Sequence, residues 1–230
     1  MACRLTLIRH GEAQGASEAV FGQTNPPLSA LGQVQLQTRW RMLSAQPVDA
    51  IASSTLARCA DFALDCAQQL QVPLHLDHGF QEIHLGCIDG KPKAEWTPED
   101  HTHWDNWQGN PRQHPLPNGE GWDEFQKRVI AALDGWFAQG EAEHRVLIAH
   151  QGTIKVILLA VFNLPAERHQ QFWLSTAGAV TLWWDEHYPP CCWSYRILWR
   201  PTDACSVRLA SAGTGHSIFN PFADPANQAV

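Results

Sequence analysis

The sequence predicts an α/β fold, a three-layer α/β/α sandwich with a mostly parallel central sheet. Two observations predict it. Short apolar runs typical of buried strands alternate with longer segments whose apolar residues recur at helical spacing. Strands and helices that alternate along a chain usually build a parallel sheet covered by helices on both faces. The 230 residues, 44% of them hydrophobic, are enough to bury a sizeable core.

The predicted elements follow one another in a regular order. Ser29 is a candidate N-cap, because serine at this position can accept a hydrogen bond from a free backbone N–H of the first turn. The run at 145–149 is the clearest buried strand. Strands are predicted at 5–8, 50–52, 72–76, 145–149, 179–184 and 195–199, and helices at 30–44, 56–70, 122–137 and 153–162.

Domain organisation is predicted as one domain over residues 1–204, with a surface insertion at about 86–120 and a partly disordered C-terminal tail at 205–230. The insertion is rich in Pro, Gly, His and Trp and shows little periodicity, so we interpret it as an irregular lid or binding loop. Trp96, Trp104 and Trp107 are candidates for the lid. Most other tryptophans are expected in the core, or in a contact between two copies of a homodimer.

Charge and composition exclude several classes of function. A net charge of −7 argues against nucleic-acid or anionic-membrane partners, which need a basic face. No run approaches the ~20 apolar residues that span a bilayer. The seven cysteines form no C-x-x-C pair, and the twelve histidines lack ligand spacing. We therefore expect a cytoplasmic protein without a metal or other cofactor.

Reactive side chains follow three of the predicted strands. Arg9 and His10 come after the first, Arg58 after the second, and His150 after the strand at 145–149. Ligands of open α/β sheets bind at the carboxyl ends of strands, so these side chains are expected around one pocket. Arginine pairs with phosphate oxygens, and neutral imidazole is a nucleophile near pH 7. The set predicts phosphoryl transfer to a histidine. Gly11 and Gly152 are expected to let backbone N–H groups approach the phosphate.

Each of these residues also has an ordinary structural interpretation. A single Arg-His-Gly tripeptide arises by chance, His150 alone fits a buried histidine satisfied by backbone, and Arg58 alone fits a helix surface. Their joint position at three strand ends favours the functional interpretation.

Six blocks of sequence, in order, resemble the histidine phosphatase superfamily, which has the phosphoglycerate mutase-like fold. The resemblance covers about residues 4 to 185. The blocks are Leu7-Ile8-Arg9-His10-Gly11-Glu12, Pro27-Leu28-Ser29-Ala30-Leu31-Gly32, Ser53-Ser54-Thr55-Leu56-Ala57-Arg58-Cys59, Gln81-Glu82-Ile83-His84-Leu85-Gly86, Asn118-Gly119-Glu120-Gly121-Trp122 and Val146-Leu147-Ile148-Ala149-His150-Gln151-Gly152.

The resemblance implies a role for each matching residue. His10 matches the histidine that becomes phosphorylated, and Arg9, Arg58 and His150 match the rest of the phosphate pocket. Glu82 matches the proton donor, a role that requires it to be protonated in the first step. Contacts to the substrate are predicted for Gln23, Thr24 and Gln151.

Within the superfamily the chain most resembles the α-ribazole-5′-phosphate phosphatases of cobalamin biosynthesis, through sequence segments such as Phe21-Gly22-Gln23-Thr24-Asn25. Ala13 and Ala16 replace polar residues that mutases use, which counts against a phosphoglycerate mutase. The substrate is expected to be a small-molecule phosphate ester. A broad-specificity acid phosphatase, a mutase and a catalytically weak phosphate-binding protein remain the alternatives.

Overall fold

The computed structural model describes residues 2–185. The strand predicted at 195–199, the tail at 205–230 and the end of the proposed 1–204 domain lie outside the described residues. The strands are β1 (Ala2–Arg9), β2 (Ala50–Ser54), β3 (Leu74–Asp77), β4 (His144–Ala149) and β5 (Ala179–Asp185). The helices are α1 (Ala30–Leu43), α2 (Ala57–Leu70), α3 (Pro98–Gly109), α4 (Trp122–Phe137) and α5 (Gln151–Val161).

The five strands of the described chain form one sheet in the order β3-β2-β4-β1-β5. Strands β3, β2, β4 and β1 are mutually parallel, and β5 runs antiparallel to β1 at the edge. The sheet is therefore mostly parallel, as predicted. Its three middle strands, β2, β4 and β1, are the ones that the reactive residues follow.

Two hydrophobic clusters cover the two faces of the sheet, because successive strand residues point to opposite sides. Leu7 and Leu147 pack in a cluster with α4 and α5. Their chain neighbours Ile8 and Ile148 pack in the other, against Leu36 of α1 and residues of α2. The predicted three-layer α/β/α arrangement is thereby confirmed.

Helix α1 begins as the sequence predicts. The Ser29 hydroxyl accepts the backbone N–H of Gly32 at 3.0 Å and donates to a carboxylate oxygen of Glu12 at 2.8 Å. Gly32 also lies so close to the β1–α1 loop that a methyl group on Gly11 would overlap its carbonyl oxygen. The start of α1 is thus fixed against the loop that carries His10.

Residues 86–120 contain a helix that the sequence interpretation missed. Instead of an irregular excursion, the chain forms α3, which begins with a capping box between Thr97 and Asp100 and has Pro98 in its first turn. The helix has little amphipathic pattern because most of its surface meets solvent, and Trp107 is its buried apolar anchor. The local capping signal, rather than hydrophobic periodicity, marks this helix.

Candidate active site

The carboxyl ends of β1, β4 and β2 bring His10 and His150 together. The centroids of their rings lie 5.2 Å apart, and the ring planes are inclined by 62°. Register explains the proximity, because Arg9 of β1 pairs with Ala149 of β4, and the two histidines follow directly. Residues distant in the chain thus meet at one edge of the sheet.

The imidazole of His10 is held in one orientation. Its Nδ1 lies 2.6 Å from the carbonyl oxygen of Gly11. A carbonyl oxygen can only accept, so Nδ1 carries the proton and Nε2 keeps its lone pair. Desolvation, followed by the positive charges of Arg58 and Arg9, holds the pKa of His10 well below its usual range. The ring is therefore neutral near pH 7, with a free nucleophilic nitrogen.

His150 lies behind His10 and is completely buried. Its Nε2 is 2.8 Å from the Ser54 hydroxyl and 3.6 Å from the Cys59 sulfur. Burial, then the charges of Arg58 and of His10, hold its pKa well below the usual range. His150 is not among the residues that line the adjoining cavity, so it supports the His10 ring from the protein side.

Arg58 is fully buried in the first turn of α2, and its guanidinium group binds the backbone of the loop at 22–24. Its two terminal nitrogens donate to the carbonyl oxygens of Thr24 (2.8 Å) and Gly22 (2.6 Å). Asp89 holds the same loop from outside by accepting the backbone N–H groups of Gly22, Gln23 and Thr24 at 2.8–3.1 Å. Asp89 therefore positions Arg58 indirectly, a role the sequence did not reveal.

Arg9 is the second guanidinium of the site. It donates to the carbonyl oxygen of Leu174 at 2.6 Å, so the segment before β5 fixes its direction. The Nε–H groups of Arg9 and Arg58 are buried and find no acceptor in the described residues. Two cationic groups with unused donors therefore flank His10, an arrangement that suits an anion.

Glu82 reaches the same place from the segment after β3. Its Oε2 accepts the backbone N–H of Gly152 at 2.9 Å, and its Oε1 accepts the N–H of Ile83 at 3.0 Å. A methyl group on Gly152 would overlap Oε1. Residue 152 must therefore be glycine to leave room for the Glu82 carboxyl group. Its backbone N–H, which the sequence predicts to face a phosphate, donates to Glu82 instead.

Arg128 of α4 holds the backbone around Glu82. It donates to the carbonyl oxygens of Gly79, Gln81 and Glu82 at 2.8–3.0 Å. Glu120 pairs with it in a bidentate ion pair at 2.6 and 2.8 Å, with both side chains largely buried. This contact explains the Asn118–Trp122 block, in which the sequence analysis identified no functional group.

A cavity of about 410 Å³ opens beside these groups. Its lining includes Arg9, His10, Arg58 and Glu82. It also includes four tryptophans that we call the aromatic wall: Trp104, Trp107, Trp122 and Trp173. Trp104 and Trp107 lie in α3 and stack with ring centroids 5.2 Å apart.

Of the three residues predicted to contact the substrate, one lines this cavity. Gln151 lines it, whereas neither Gln23 nor Thr24 does so in the described structure. The Gln23 side chain donates to the Glu82 carbonyl oxygen at 3.3 Å, and the Thr24 carbonyl oxygen accepts from Arg58. Of the lid candidates, Trp104 and Trp107 line the cavity, and Trp96 packs against Trp104.

Lys155 is a cavity residue that the sequence analysis missed. It lies on α5 one turn after Gln151 and is 6% exposed. Burial lowers its pKa to about 8. A single lysine within the apolar run of 153–162 was the available signal, because burying an ammonium group is costly and demands a reason.

The described residues contain neither a metal-ligand cluster nor a membrane-spanning helix. No group of three or more His, Cys, Asp or Glu side chains there has a geometry suited to a metal ion. Within residues 2–185, every helix is too short or too polar to cross a bilayer.

Known proteins resemble the chain over most of its length. The model of the histidine phosphatase superfamily (branch 1) matches residues 5–192. "Putative phosphoserine phosphatase 2" of Hydrogenobacter thermophilus is 29% identical over 78% of this chain and 88% of its own length. The adenosylcobalamin/α-ribazole phosphatase of Escherichia coli K12 is 28% identical over 74% and 84%. The solved α-ribazole phosphatase of Shigella flexneri is 27% identical with a TM-score of 0.68, over 80% and 92%.

The chain belongs to the histidine phosphatase superfamily. This confirms the predicted family, the predicted fold and the predicted class of enzyme.

Proposed function

We propose that the protein is a phosphomonoesterase that acts through a phosphohistidine on His10. The observation that carries the proposal is the 2.6 Å contact between His10 Nδ1 and the Gly11 carbonyl oxygen, which leaves Nε2 free beside two buried guanidiniums. A fixed, neutral imidazole flanked by cations suits attack on a phosphate ester.

In the first step, His10 Nε2 attacks the phosphorus atom and the bond to the leaving oxygen breaks. The leaving oxygen takes a proton from the Glu82 carboxyl group, while Arg9 and Arg58 stabilise the charge on the other phosphate oxygens. In the second step, water attacks the phosphorus atom, the P–N bond breaks, and the Glu82 carboxylate accepts the proton of the water. Inorganic phosphate leaves, and His10 is neutral again.

His150 supports both steps without touching the leaving group. Its ring lies against His10 and is anchored to Ser54, so it keeps the His10 ring in place when the phosphoryl group adds. Its buried position at the end of β4, between Ser54 of β2 and His10, favours this positioning role over a second nucleophile.

We further propose α-ribazole 5′-phosphate as the substrate. Support comes from the relatives that carry the name α-ribazole phosphatase, and from the aromatic wall that lines the same cavity as His10. A benzimidazole ring stacks favourably on indole, and the cavity is large enough for a nucleoside-sized group.

Ala13 and Ala16 support hydrolysis over phosphoryl transfer between two substrate hydroxyls. Both line the cavity, and a methyl group offers no hydrogen bond to a second bound hydroxyl group. Among the open alternatives, a phosphoglycerate mutase would interconvert 3- and 2-phosphoglycerate. A weak phosphate-binding protein would bind phosphate without turnover.

A cytoplasmic location and a homodimer are also part of the proposal. Cys59, Cys66 and Cys87 are free thiols, which suits a reducing compartment.

Radiolabel tests the central step. Wild-type protein mixed with a ³²P-labelled ester and quenched in alkali should carry acid-labile label, and His10→Ala should carry none. Turnover of α-ribazole 5′-phosphate is then compared with that of sugar and glycerate phosphates. Label retained by His10→Ala would refute His10 as the acceptor, and rapid mutase exchange would refute the hydrolytic assignment.

A further inference from the structure

Lys155 is a buried cation that forms no ion pair within the described residues. It is 6% exposed, and the Glu82 carboxylate is near enough to raise its pKa without pairing with it, while burial has the larger and opposite effect. Its neighbour on the open side is the ring of Trp173, whose centroid is 5.9 Å from Nζ. A buried ammonium group normally donates hydrogen bonds to an acceptor. The lack of such an acceptor among the described residues indicates that a ligand supplies it.

A second orphan donor lies in the same cavity wall. The indole Nε1–H of Trp122 is buried and has no acceptor within the described residues, and the Trp122 side chain is 3% exposed. Trp122 and Lys155 both line the cavity, with His169 beside them. The Nε2 of His169 faces the carbonyl oxygen of Gln108 at 3.0 Å, so this ring is already committed to the protein.

Lys155 lies beside the residues around His10, close enough to Glu82 and Arg9 for electrostatic interaction, but it comes from a different element. Arg9 and Arg58 extend from the strand ends, whereas Lys155 lies one helical turn beyond Gln151 on α5. Residues four apart on a helix share a face, and both of these side chains line the cavity. On its other side Lys155 acts electrostatically on His169, whose ring contacts Trp107 and Trp122. The ammonium group therefore lies between the residues around His10 and the aromatic wall, where the leaving part of a bound ester would be.

We infer that Lys155, with Trp122, forms a subsite for a hydrogen-bond-accepting oxygen on the leaving group of the substrate. This inference rests on the proposed function and specifies its substrate class. A ribose hydroxyl and a carboxylate both offer such an oxygen, and a plain aryl leaving group offers none. Lys155 is thus a specificity-determining residue, not a member of the reacting set.

Binding to His10→Ala protein tests the subsite without any need for turnover. Dissociation constants are measured by calorimetry for three esters: α-ribazole 5′-phosphate, phosphoserine and phenyl phosphate. Adding Lys155→Met should weaken at least one of the first two roughly tenfold to a hundredfold, the range for a hydrogen bond to a charged group. Phenyl phosphate should change less than twofold. The ester that weakens identifies hydroxyl or carboxylate as the acceptor.

Kinetics on otherwise unchanged protein provide the second measurement. Lys155→Met should raise KM for the same ester and leave kcat/KM for phenyl phosphate unaltered, and Lys155→Arg should restore most of the loss. Lys127→Met is the matched control, because Lys127 is an exposed lysine of α4 that does not line the cavity, and it should change the kinetics of none of the esters.

Two results would overturn the inference. Equal weakening of the binding of all three esters would mean that Lys155 acts on the phosphate or on folding. Unchanged binding of all three would mean that Lys155 forms no subsite for the leaving group. Failure of the proposed function is recognised separately, because wild-type protein would then hydrolyse none of the esters and carry no label.

Discussion

The Oε2 atom of Glu82 accepts the backbone N–H of Gly152 at 2.9 Å. Gly152 stands two residues after His150, so this hydrogen bond joins the carboxyl group to the end of β4, where His150 packs against His10. The contact is possible only because residue 152 has no side chain. The position of the Glu82 carboxyl group is therefore coupled to that of His150 through one backbone amide.

Gly152→Ala should displace the Glu82 side chain, because the new methyl group would overlap Oε1. We expect kcat/KM for alkyl phosphates to fall about 100-fold, since general acid catalysis contributes about 10²–10⁴. Steady-state kinetics measure the loss. Gly135→Ala is the control, because nothing lies within 4 Å of its added methyl group, and it should keep full activity. Unchanged activity of Gly152→Ala would contradict the assigned packing.

Glu82→Gln should separate good leaving groups from poor ones. An amide cannot donate a carboxyl proton, so kcat for α-ribazole 5′-phosphate should fall by about 10²–10⁴. The loss for p-nitrophenyl phosphate should be far smaller, because its leaving oxygen needs little protonation. Parallel kinetics on both esters make the comparison, and equal slowing of the two would remove Glu82 from the proton-donor role.

Asp89→Asn should weaken phosphate binding although Asp89 is outside the cavity lining. Burial raises the pKa of Asp89, but hydrogen bonds from Thr24, Gln23 and Gly22 outweigh it and hold the pKa below its usual value. Asparagine can accept on one oxygen only, so the loop that holds Arg58 should loosen and kcat/KM should fall about tenfold. The inhibition constant of inorganic phosphate gives the readout.

The matched control for that change is Asp61→Asn, an exposed carboxylate on the same helix as Arg58. It should leave phosphate inhibition unaltered. A similar effect from both variants would mean that net charge, rather than the loop, is responsible.

Acid should destabilise the fold through His169. Burial, then the charge of Lys155, lowers the pKa of His169 to about 4, against about 6.5 in the unfolded chain. Below pH 6.5 the unfolded chain binds the extra proton, so this stability is complete above pH 6.5 and is lost as the pH falls toward 4. Between pH 7 and 5 the loss should be about 1–2 kcal/mol.

Urea unfolding of wild type and His169→Gln at pH 7 and pH 5 measures this contribution. The variant should show the smaller drop in the free energy of unfolding between the two pH values. An identical drop would place the acid sensitivity elsewhere, for example in His144, whose pKa burial also lowers.

The sequence predicted those parts of the fold and site that depend on the sheet. Apolar runs identify β1 and β4, and the reactive residues that follow them need only parallel neighbours to converge. Helix α3 was missed because a mostly exposed helix has no apolar stripe, although its Thr97–Asp100 capping box was visible.

Contacts between side chains and distant backbone were harder to predict. The hydrogen bonds that Asp89 accepts from the loop at 22–24 depend on where backbone N–H groups lie in space. Those that Arg128 donates to the Glu82 segment depend on where carbonyl oxygens lie. Gln23 and Thr24 were placed near the substrate by likeness alone, and the fold uses them to hold Glu82 and Arg58 instead. The position of Lys155 in the cavity lining likewise depends on tertiary packing.

The cavity has two separately encoded halves. His10 and its neighbours follow strand termini, whereas Trp104 and Trp107 come from α3, which contacts His169 through Gln108. Replacement of α3 would exchange two of the four tryptophans of the aromatic wall and leave the residues around His10 in place. The architecture thus gives a lineage a ready route to new substrates, because selectivity can diverge while the chemistry is inherited.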